Sequence, residues 1–303
     1  MKPQISVITI NYNGIKDTRA LIQSLMQNVK KTTFEIIVVD NASKNNEAEQ
    51  LQTEFPNIKV IASKENLGFS GGNNLGIKYA TADFLFFVNN DTYIADDSLH
   101  YLLERMDCYQ YIAGVCPKIR FAFGEQLIQF AGYTPLTAIT LRNKAIGCGK
   151  PDSEDYDTPR GIPLMHGAAM LIRKSTLKDV GLMPENYFLY YEEIDWSTRF
   201  DDAEYEMWYE PRCTIFHKES QSTGQNSPLR AYYLTRNRLR FAMKHRKHII
   251  KCLSILYLIF VAGSKDILKN LANKKPKLAK ATLLGIWDFL VHPNKKAINV
   301  CRL

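Results

Sequence analysis

ISVITINYNGIKDTRALIQSLMQNVKKTTFEIIVVD, residues 5–40, holds two short apolar runs, Ile5–Asn11 and Phe34–Asp40, on either side of a segment with a different period. Within that segment, Thr18–Gln27 places Leu21, Ile22, Leu25 and Met26 on one helical face. The flanking runs are almost continuously apolar and β-branched, the pattern of parallel strands covered on both faces. The stretch therefore reads as a right-handed strand–helix–strand unit. Ile58–Ala62 and Phe84–Asn89 (FLFFVN) extend the strand series, and Asn73–Ala80 and Asp97–Met106 the helix series. Such alternation predicts an α/β fold, with a mostly parallel open sheet and helices on both faces. Sheets of this kind bind ligands beyond the carboxyl ends of their strands. Asp40 and Asn89-Asn90-Asp91 lie at such ends and are candidates from position alone.

The remainder divides unevenly. From about 110 to 165 Gly, Pro and mixed strand patterns predominate, ending in Lys150–Arg160 (KPDSEDYDTPR), which reads as a surface loop. Pro163–Ile172 returns to strand character, Glu193–Asp201 suits a helix and Glu206–His217 a strand. After Leu229 the pattern is helical and basic. Two regions follow: an α/β domain over 1–229 and a basic helical region over 230–303. The net charge of +8 conceals this division, because the last region carries 17 Lys+Arg against Asp266 and Asp288, whereas the first carries 22 basic and 29 acidic residues. With 46% hydrophobic and 23% charged residues, the chain is not one that stays disordered. MKPQISVITINYNG lacks a cleavage-site pattern, and the six cysteines form no CxxC pair. The expectation is a cytoplasmic protein with reduced, mostly buried thiols.

Four places carry chemistry. Asp40 could accept the N3–H of uracil or thymine, or simply cap its turn. Glu65–Gly76 (ENLGFSGGNNLG) packs four glycines and three asparagines into twelve residues, a composition that lets backbone amides approach phosphate. Its spacing is neither GxGxxG nor that of a P-loop, which disfavours dinucleotide enzymes and NTPases. Asp91 alone is a poor cation site, but Asp91, His217, a diphosphate and water make a plausible Mn2+ or Mg2+ shell. Tyr190–Trp196 (YYEEIDW) crowds Glu192, Glu193 and Asp195 near a helix start. Like charges raise carboxyl pKa values, as a general base requires. Trp196 either stacks on a sugar ring or anchors the helix.

In this order, VITINYNG, VVDNAS, ENLGFSGGNNLG, FFVNNDT, HGAAMLIRKS, FLYYEEIDW and IFHKESQS resemble the family 2 glycosyltransferases of the GT-A fold. The non-processive bacterial rhamnosyl- and galactofuranosyltransferases are the nearest branch. The likeness covers roughly residues 3–245. It implies that Asp40 contacts the donor base and that Asn66, Gly68, Gly71, Gly72 and Asn74 form the donor loop. Asn11 and Asn90 join the nucleotide-sugar side, and Gly167 and Trp196 the acceptor side. Asp91 becomes the carboxylate of a DxD-like motif whose first position is the weaker ligand Asn89, with His217 as a further metal ligand. Glu193 stands where the family's base is usually Asp, so Glu192 and Asp195 remain alternatives. The implied reaction is inverting, metal-dependent transfer of one sugar from a nucleoside-diphosphate sugar. Rhamnose is preferred, with galactosyl, galactofuranosyl, mannosyl or N-acetylhexosaminyl transfer as alternatives. The chain lacks the QxxRW motif of processive synthases. A non-catalytic sugar-binding scaffold is the rival from another class.

Ile249–Gly263 (IIKCLSILYLIFVAG) is apolar over only 15 residues and contains Lys251, short of the ~20 a bilayer crossing needs. Flanked by Lys244, Arg246, Lys247, Lys265 and Lys269, it reads as a helix lying in the headgroup region, with Leu283–Val291 a second such element. The expected partners are a polyprenyl-diphosphate-linked or glycan acceptor and the cytoplasmic membrane surface, to which the enzyme binds peripherally. Nucleic acid is not expected, since the tail carries no binding motif and the body is acidic.

Overall fold

A computed structural model describes residues 2–219 and 227–292. Cys301, the Ser220–Ser222 end of IFHKESQS and the region beyond His292 lie outside the described residues.

One ten-stranded sheet organises the body, in the order β3-β2-β1-β4-β9-β6-β10-β5. Its parallel half is β1 (Ile5–Asn11), β2 (Phe34–Asp40), β3 (Lys59–Ala62) and β4 (Phe84–Val88). The helices α1 (Ile15–Asn28), α2 (Glu47–Glu54) and α3 (Gly68–Ile77) connect these strands. The register sets Asn11 beside Asp40, and Asp40 beside Ala62, so the strand ends are level. Antiparallel β9 (Ala169–Arg173) then separates β4 from β6 (Ile112–Phe121), which pairs in parallel with β10 (Glu206–His217). The short β5 (Thr92–Ile94) closes the far edge, and β7 (Ile128–Phe130) and β8 (Arg160–Gly161) add to β6 and β10. Between them lie α4 (His100–Cys108), α5 (Leu177–Val180) and α6 (Glu192–Asp202). The fold is α/β, with a mostly parallel half and a helical C-terminal extension.

The strands are as buried as their composition requires. Ile5, Val7, Ile8, Phe86 and Phe87 are fully buried, and Leu21, Ile22 and Leu25 bring α1 onto the sheet. The α3 helix begins at Gly68, five residues before the expected Asn73. Its glycines face the sheet: a Cβ on Gly76 would lie 2.5 Å from Ile8 Cγ2, and one on Gly72 2.9 Å from Ile10 Cδ1. Close helix–sheet packing therefore explains two of the glycines. Trp196 is fully buried, edge-on to Phe87 at 5.7 Å, and its indole N–H donates to Gly181 O. The placement of Trp196 on the acceptor side is thus corrected: no face of the ring is open to a sugar. Of the described cysteines, Cys116 and Cys213 are buried but Cys108, Cys148 and Cys252 are exposed, so the thiols are not mostly buried.

Four helical segments follow: α7 (Pro228–His245), α8 (His248–Leu256), α9 (Ser264–Ala272) and α10 (Pro276–Val291). A π-helical segment, Tyr257–Gly263, makes α8 and α9 continuous. The helix His248–Ala272 runs 25 residues and is long and apolar enough to cross a membrane. The 15-residue length argument therefore does not hold. These helices do not form a separate core. Leu239, Phe241, Leu258, Ile286 and Phe289 cluster with Tyr187 and Tyr191 of the body.

Candidate active site

His217 ends β10 and Asp91 follows β4, and the sheet brings them together. His217 Nε2 lies 3.2 Å from Asp91 Oδ1. On its other side, Nδ1 is 2.8 Å from Gln129 Oε1. An amide oxygen only accepts, so Nδ1 donates to it and Nε2 faces the Asp91 carboxylate, where either a proton or a cation can lie between the two. Two ligands of an octahedral ion at 2.0–2.1 Å sit about 3.0 Å apart, so the pair fits one shell. Asn89 Nδ2 is 3.5 Å from the same Nε2. No group of three or more His, Cys, Asp or Glu converges among the described residues, so any further ligands would come from diphosphate and water. Gln129 was not a candidate from the sequence, because nothing local to β7 marks it as the partner of a histidine 88 positions away.

The acids separate into two roles. Asp195 is fully buried, and its carboxylate accepts from Tyr187 Oη (2.8 Å), Lys244 Nζ (2.7 Å) and His245 Nε2 (2.7 Å). Arg199 Nε lies 3.2 Å away. Burial opposes its ionisation, but His245 and Lys244 outweigh burial and hold the carboxyl below its usual range. Asp195 is thereby corrected from alternative base to ionic tether: it is inaccessible, committed to cations and too acidic. Glu192 is 3% exposed with an unpartnered Oε2, and burial followed by the charge of Glu193 drives its pKa well up. Glu193 is half-buried, and burial lifts its carboxyl to about 7 against the amides of Glu193 and Tyr191. Glu193 thus combines access with a base's proton affinity.

The segment before β9 joins the two sides. A Cβ on Gly167 would sit 3.8 Å from Glu193 Cγ, Ala168 O accepts from Asn89 N (2.9 Å), and the His166 ring lies 6.5 Å from that of His217. Gly167 therefore leaves open the space beside Glu193.

Most candidates of the donor loop are committed elsewhere. Gly68 has φ +71, and a Cβ there would meet Phe188 O at 2.4 Å; one on Gly71 would meet Leu67 Cβ at 2.8 Å. Asn74 exchanges hydrogen bonds with Met183 N and O (3.1 and 3.0 Å) and reaches Glu185 Oε1 (3.1 Å). Asn66 Oδ1 accepts from Asn41 Nδ2 and Gly68 N, both at 2.9 Å. Buried Asn11 donates to Asp40 Oδ2 and Glu47 Oε2, both at 2.8 Å, and accepts from Thr18 Oγ1 (2.7 Å). Asn11, Gly68, Gly71, Gly72 and Asn74 thus also build the walls of this region: the side-chain polar atoms of the asparagines are bonded within the protein, and the missing Cβ atoms of the glycines make room for packing. Asn90 Nδ2 donates to Thr18 Oγ1 (3.1 Å), and Asp40 Oδ1 accepts from Ser43 N (3.0 Å), so the turn-capping role of Asp40 is realised.

The turn before α6 is strained. Phe188, Tyr190 and Tyr191 all have left-handed φ values (70, 65 and 80), at roughly 1–2 kcal/mol each. Asn237 of α7 donates to the carbonyls of Tyr187 (3.1 Å), Leu189 (2.7 Å) and Tyr190 (2.8 Å). Nothing in the α7 sequence marked this role.

Comparison with known proteins now adds weight. The family model described as "Glycosyl transferase family 2" matches residues 6–181, more than half of the chain. The chain belongs to glycosyl transferase family 2. Among similar proteins, a dTDP-rhamnosyl transferase, RfbF, of Shigella flexneri is 24% identical over 95% of this chain and 96% of its own. An N-acetylglucosaminyl-diphospho-decaprenol L-rhamnosyltransferase of Mycobacterium tuberculosis is 22% identical over 75% of this chain and 80% of its own. The hexosyltransferase Agl10 of low-salt glycan biosynthesis, from Haloferax volcanii, is 28% identical over 66% of this chain; the chain spans 62% of that relative. Among solved structures, the mannosyltransferase PcManGT of Pyrobaculum calidifontis, in complex with GDP-Man and Mn2+, superposes with TM-score 0.57 at 15% identity, over 97% of this chain and 82% of its own. GalNAc-T7 with UDP, GalNAc and Mn2+ gives TM-score 0.62 at 13% identity, over 91% of this chain and 59% of its own. These likenesses establish a family 2 glycosyltransferase with a GT-A-like fold.

Proposed function

We propose that this glycosyltransferase moves one hexose, with rhamnose the first candidate, from a nucleoside-diphosphate sugar to a lipid-linked or glycan acceptor, inverting the anomeric configuration. The observation that carries the proposal is the convergence of Glu193 with the Asp91–His217 pair on the two flanks of His166–Ala168. Glu193 takes the proton from the acceptor hydroxyl as that oxygen attacks the anomeric carbon from the face opposite the diphosphate. Gln129 fixes His217, and Asp91 and His217, with Asn89 beside them, would hold a divalent cation with diphosphate oxygens. Such a cation neutralises charge on the departing diphosphate. Asp40, at its strand end, is assigned to the donor base, and Asn66 and Asn90 to the rim. The rhamnosyl and decaprenol-linked activities in the relatives' names support the donor and acceptor class. Nucleotide sugars screened for thermal stabilisation with Mn2+, then for turnover, test it. Stabilisation by none of them, with no turnover, refutes it.

The acceptor class also fits the outer face of the C-terminal helices. Ile249, Leu253, Leu256, Phe260, Leu268 and Leu271 are 40–67% exposed and recur at helical spacing, while Ser254, Leu258 and Ala262 on the other face are buried. Exposed Lys247, Lys265 and Lys269 flank this stripe. Lys244 and Arg246 are instead bonded to Asp195 and to Ala138 O. We assign the stripe to the cytoplasmic leaflet surface. The full chain should float with anionic liposomes, and the pair Phe260→Asp with Leu268→Asp should not. Equal flotation of both proteins refutes the assignment.

A further inference from the structure

The helix α7 begins the basic C-terminal region, yet its most buried polar residues point into the body. Arg236 is 1% exposed and Asn237 fully buried. Asn237 Nδ2 serves three carbonyls of the Tyr187–Tyr190 turn, while its Oδ1 accepts from Arg236 Nε at 3.1 Å. That bond fixes which way the amide faces. Arg236 Nη2 adds a bond to Tyr187 O at 3.1 Å, and Arg240 Nη1 one to Asn186 O at 2.6 Å. Each carbonyl so held belongs to the connection that delivers the chain into Glu192, the first residue of α6.

The same connection touches the donor side. Phe188 O accepts from Phe69 N at 2.9 Å, at the start of α3, and the Phe188 ring stacks on Tyr233 of α7 at 5.4 Å. A turn with three left-handed aromatic residues does not hold that shape unaided, because unstrained backbone conformations lie close by. The shape is imposed from outside by a side chain with two N–H groups directed at three oxygens. An acid placed two residues beyond such a turn inherits its direction from it.

We propose that Asn237, braced by Arg236, is a positioning residue for the reaction: it holds the Tyr187–Tyr191 turn so that the Glu193 carboxylate points across Gly167 at the acceptor hydroxyl. The inference rests on the assignment of Glu193 as base, and it makes α7 part of the catalytic body. Misplacement of a reacting group by about 1 Å costs on the order of 100-fold in rate. Asn237 itself touches none of the groups assigned to the donor.

The test uses the full chain with Asn237→Ala and Asn237→Asp. The second keeps the shape but turns a donor into an acceptor facing carbonyls. Leu25→Ala, a buried apolar truncation on α1 away from this turn, controls for loss of stability. Turnover is expressed per donor-binding site, counted by titration with the nucleotide sugar. Both Asn237 variants should lose about 100-fold in kcat with donor KM within about twofold, and Leu25→Ala should keep wild-type kcat per site. Wild-type kcat per site in either Asn237 variant, or an equal loss in Leu25→Ala, overturns the proposal. Glu193→Gln separates the two ideas. Full turnover there removes the base assignment itself, whereas lost turnover in Glu193→Gln beside full turnover in Asn237→Ala removes only the positioning role.

Discussion

Asp195→Asn separates a tether from a base. The substitution keeps the shape of a fully buried side chain and removes its charge. Three donors then face a neutral group: Tyr187 Oη at 2.8 Å, and Lys244 Nζ and His245 Nε2 both at 2.7 Å. A hydrogen bond to a charged group contributes roughly 1.5–3 kcal/mol, and breaking a buried ion pair costs roughly 3–5 kcal/mol. The lower part of that range applies, because Lys244 is 43% exposed and returns to water, and Arg199 keeps bonds to Val180 O and Leu182 O. A loss of about 3 kcal/mol follows, or a fall in Tm of about 6–12 °C for a chain of this size. The dependence on pH has a definite sign. A carboxyl held below its ordinary 3.8 contributes stability above that value and loses it as pH falls through the depressed one. The gap in Tm between wild type and variant should therefore be full at pH 7 and narrow in acid. Circular dichroism melts at pH 7 and at a pH well below 3.8, with turnover measured well below the variant's Tm, supply the data. An unchanged Tm with turnover abolished would place Asp195 at the reacting atoms and refute the tether.

Other outcomes follow from the same geometry. Glu193→Gln should lower kcat by about 10²–10⁴-fold with donor affinity retained, as read by steady-state kinetics and donor titration. Because Glu193 must be ionised to act and burial lifts it to about 7, wild-type kcat should fall about tenfold per unit below pH 7 and level off above it; a rate flat down to pH 5 contradicts the assignment. Gln129→Ala, which frees Nδ1 of His217, should weaken Mn2+ binding about 10–100-fold in a calorimetric titration with the nucleoside diphosphate present. Gly68→Ala puts a Cβ 2.4 Å from Phe188 O at a left-handed φ and should cost about 3 kcal/mol or more, whereas Gly161→Ala meets nothing within 4 Å and should stay within about 0.5 kcal/mol in urea melts.

How far the sequence could be read depended on the range of the interactions involved. The strand–helix alternation of 5–40 was legible because burial on both faces leaves a local imprint, and β10 matches Glu206–His217 residue for residue. Asp91 and His217 were legible as a pair from their strand-end positions and again through the family resemblance. Local pattern could not show that four glycines mean packing, because a small residue against a phosphate and a small residue against Ile8 look alike. It could not sort Asp195 from Glu193 either, since the difference is supplied by Lys244 and His245, some 50 positions away. The long helix 248–272 escaped the apolar count because Lys265, Asp266 and Lys269 interrupt its composition but not its backbone.

Antiparallel β9, lying between β4 and β6, has a bearing on how the enzyme comes into being. The parallel half is complete by Val88, but the cleft also needs Gln129, Gly167, Glu193 and His217, brought in by strands and a helix from later in the chain. Contacts of such sequence separation close slowly. A nascent polypeptide halted before β10 therefore lacks His217 and the strand on which β5 and β8 pair. Completion of the site waits on the end of the chain's α/β body and on α7, which set His217 beside Asp91 and Asn237 against the turn before α6.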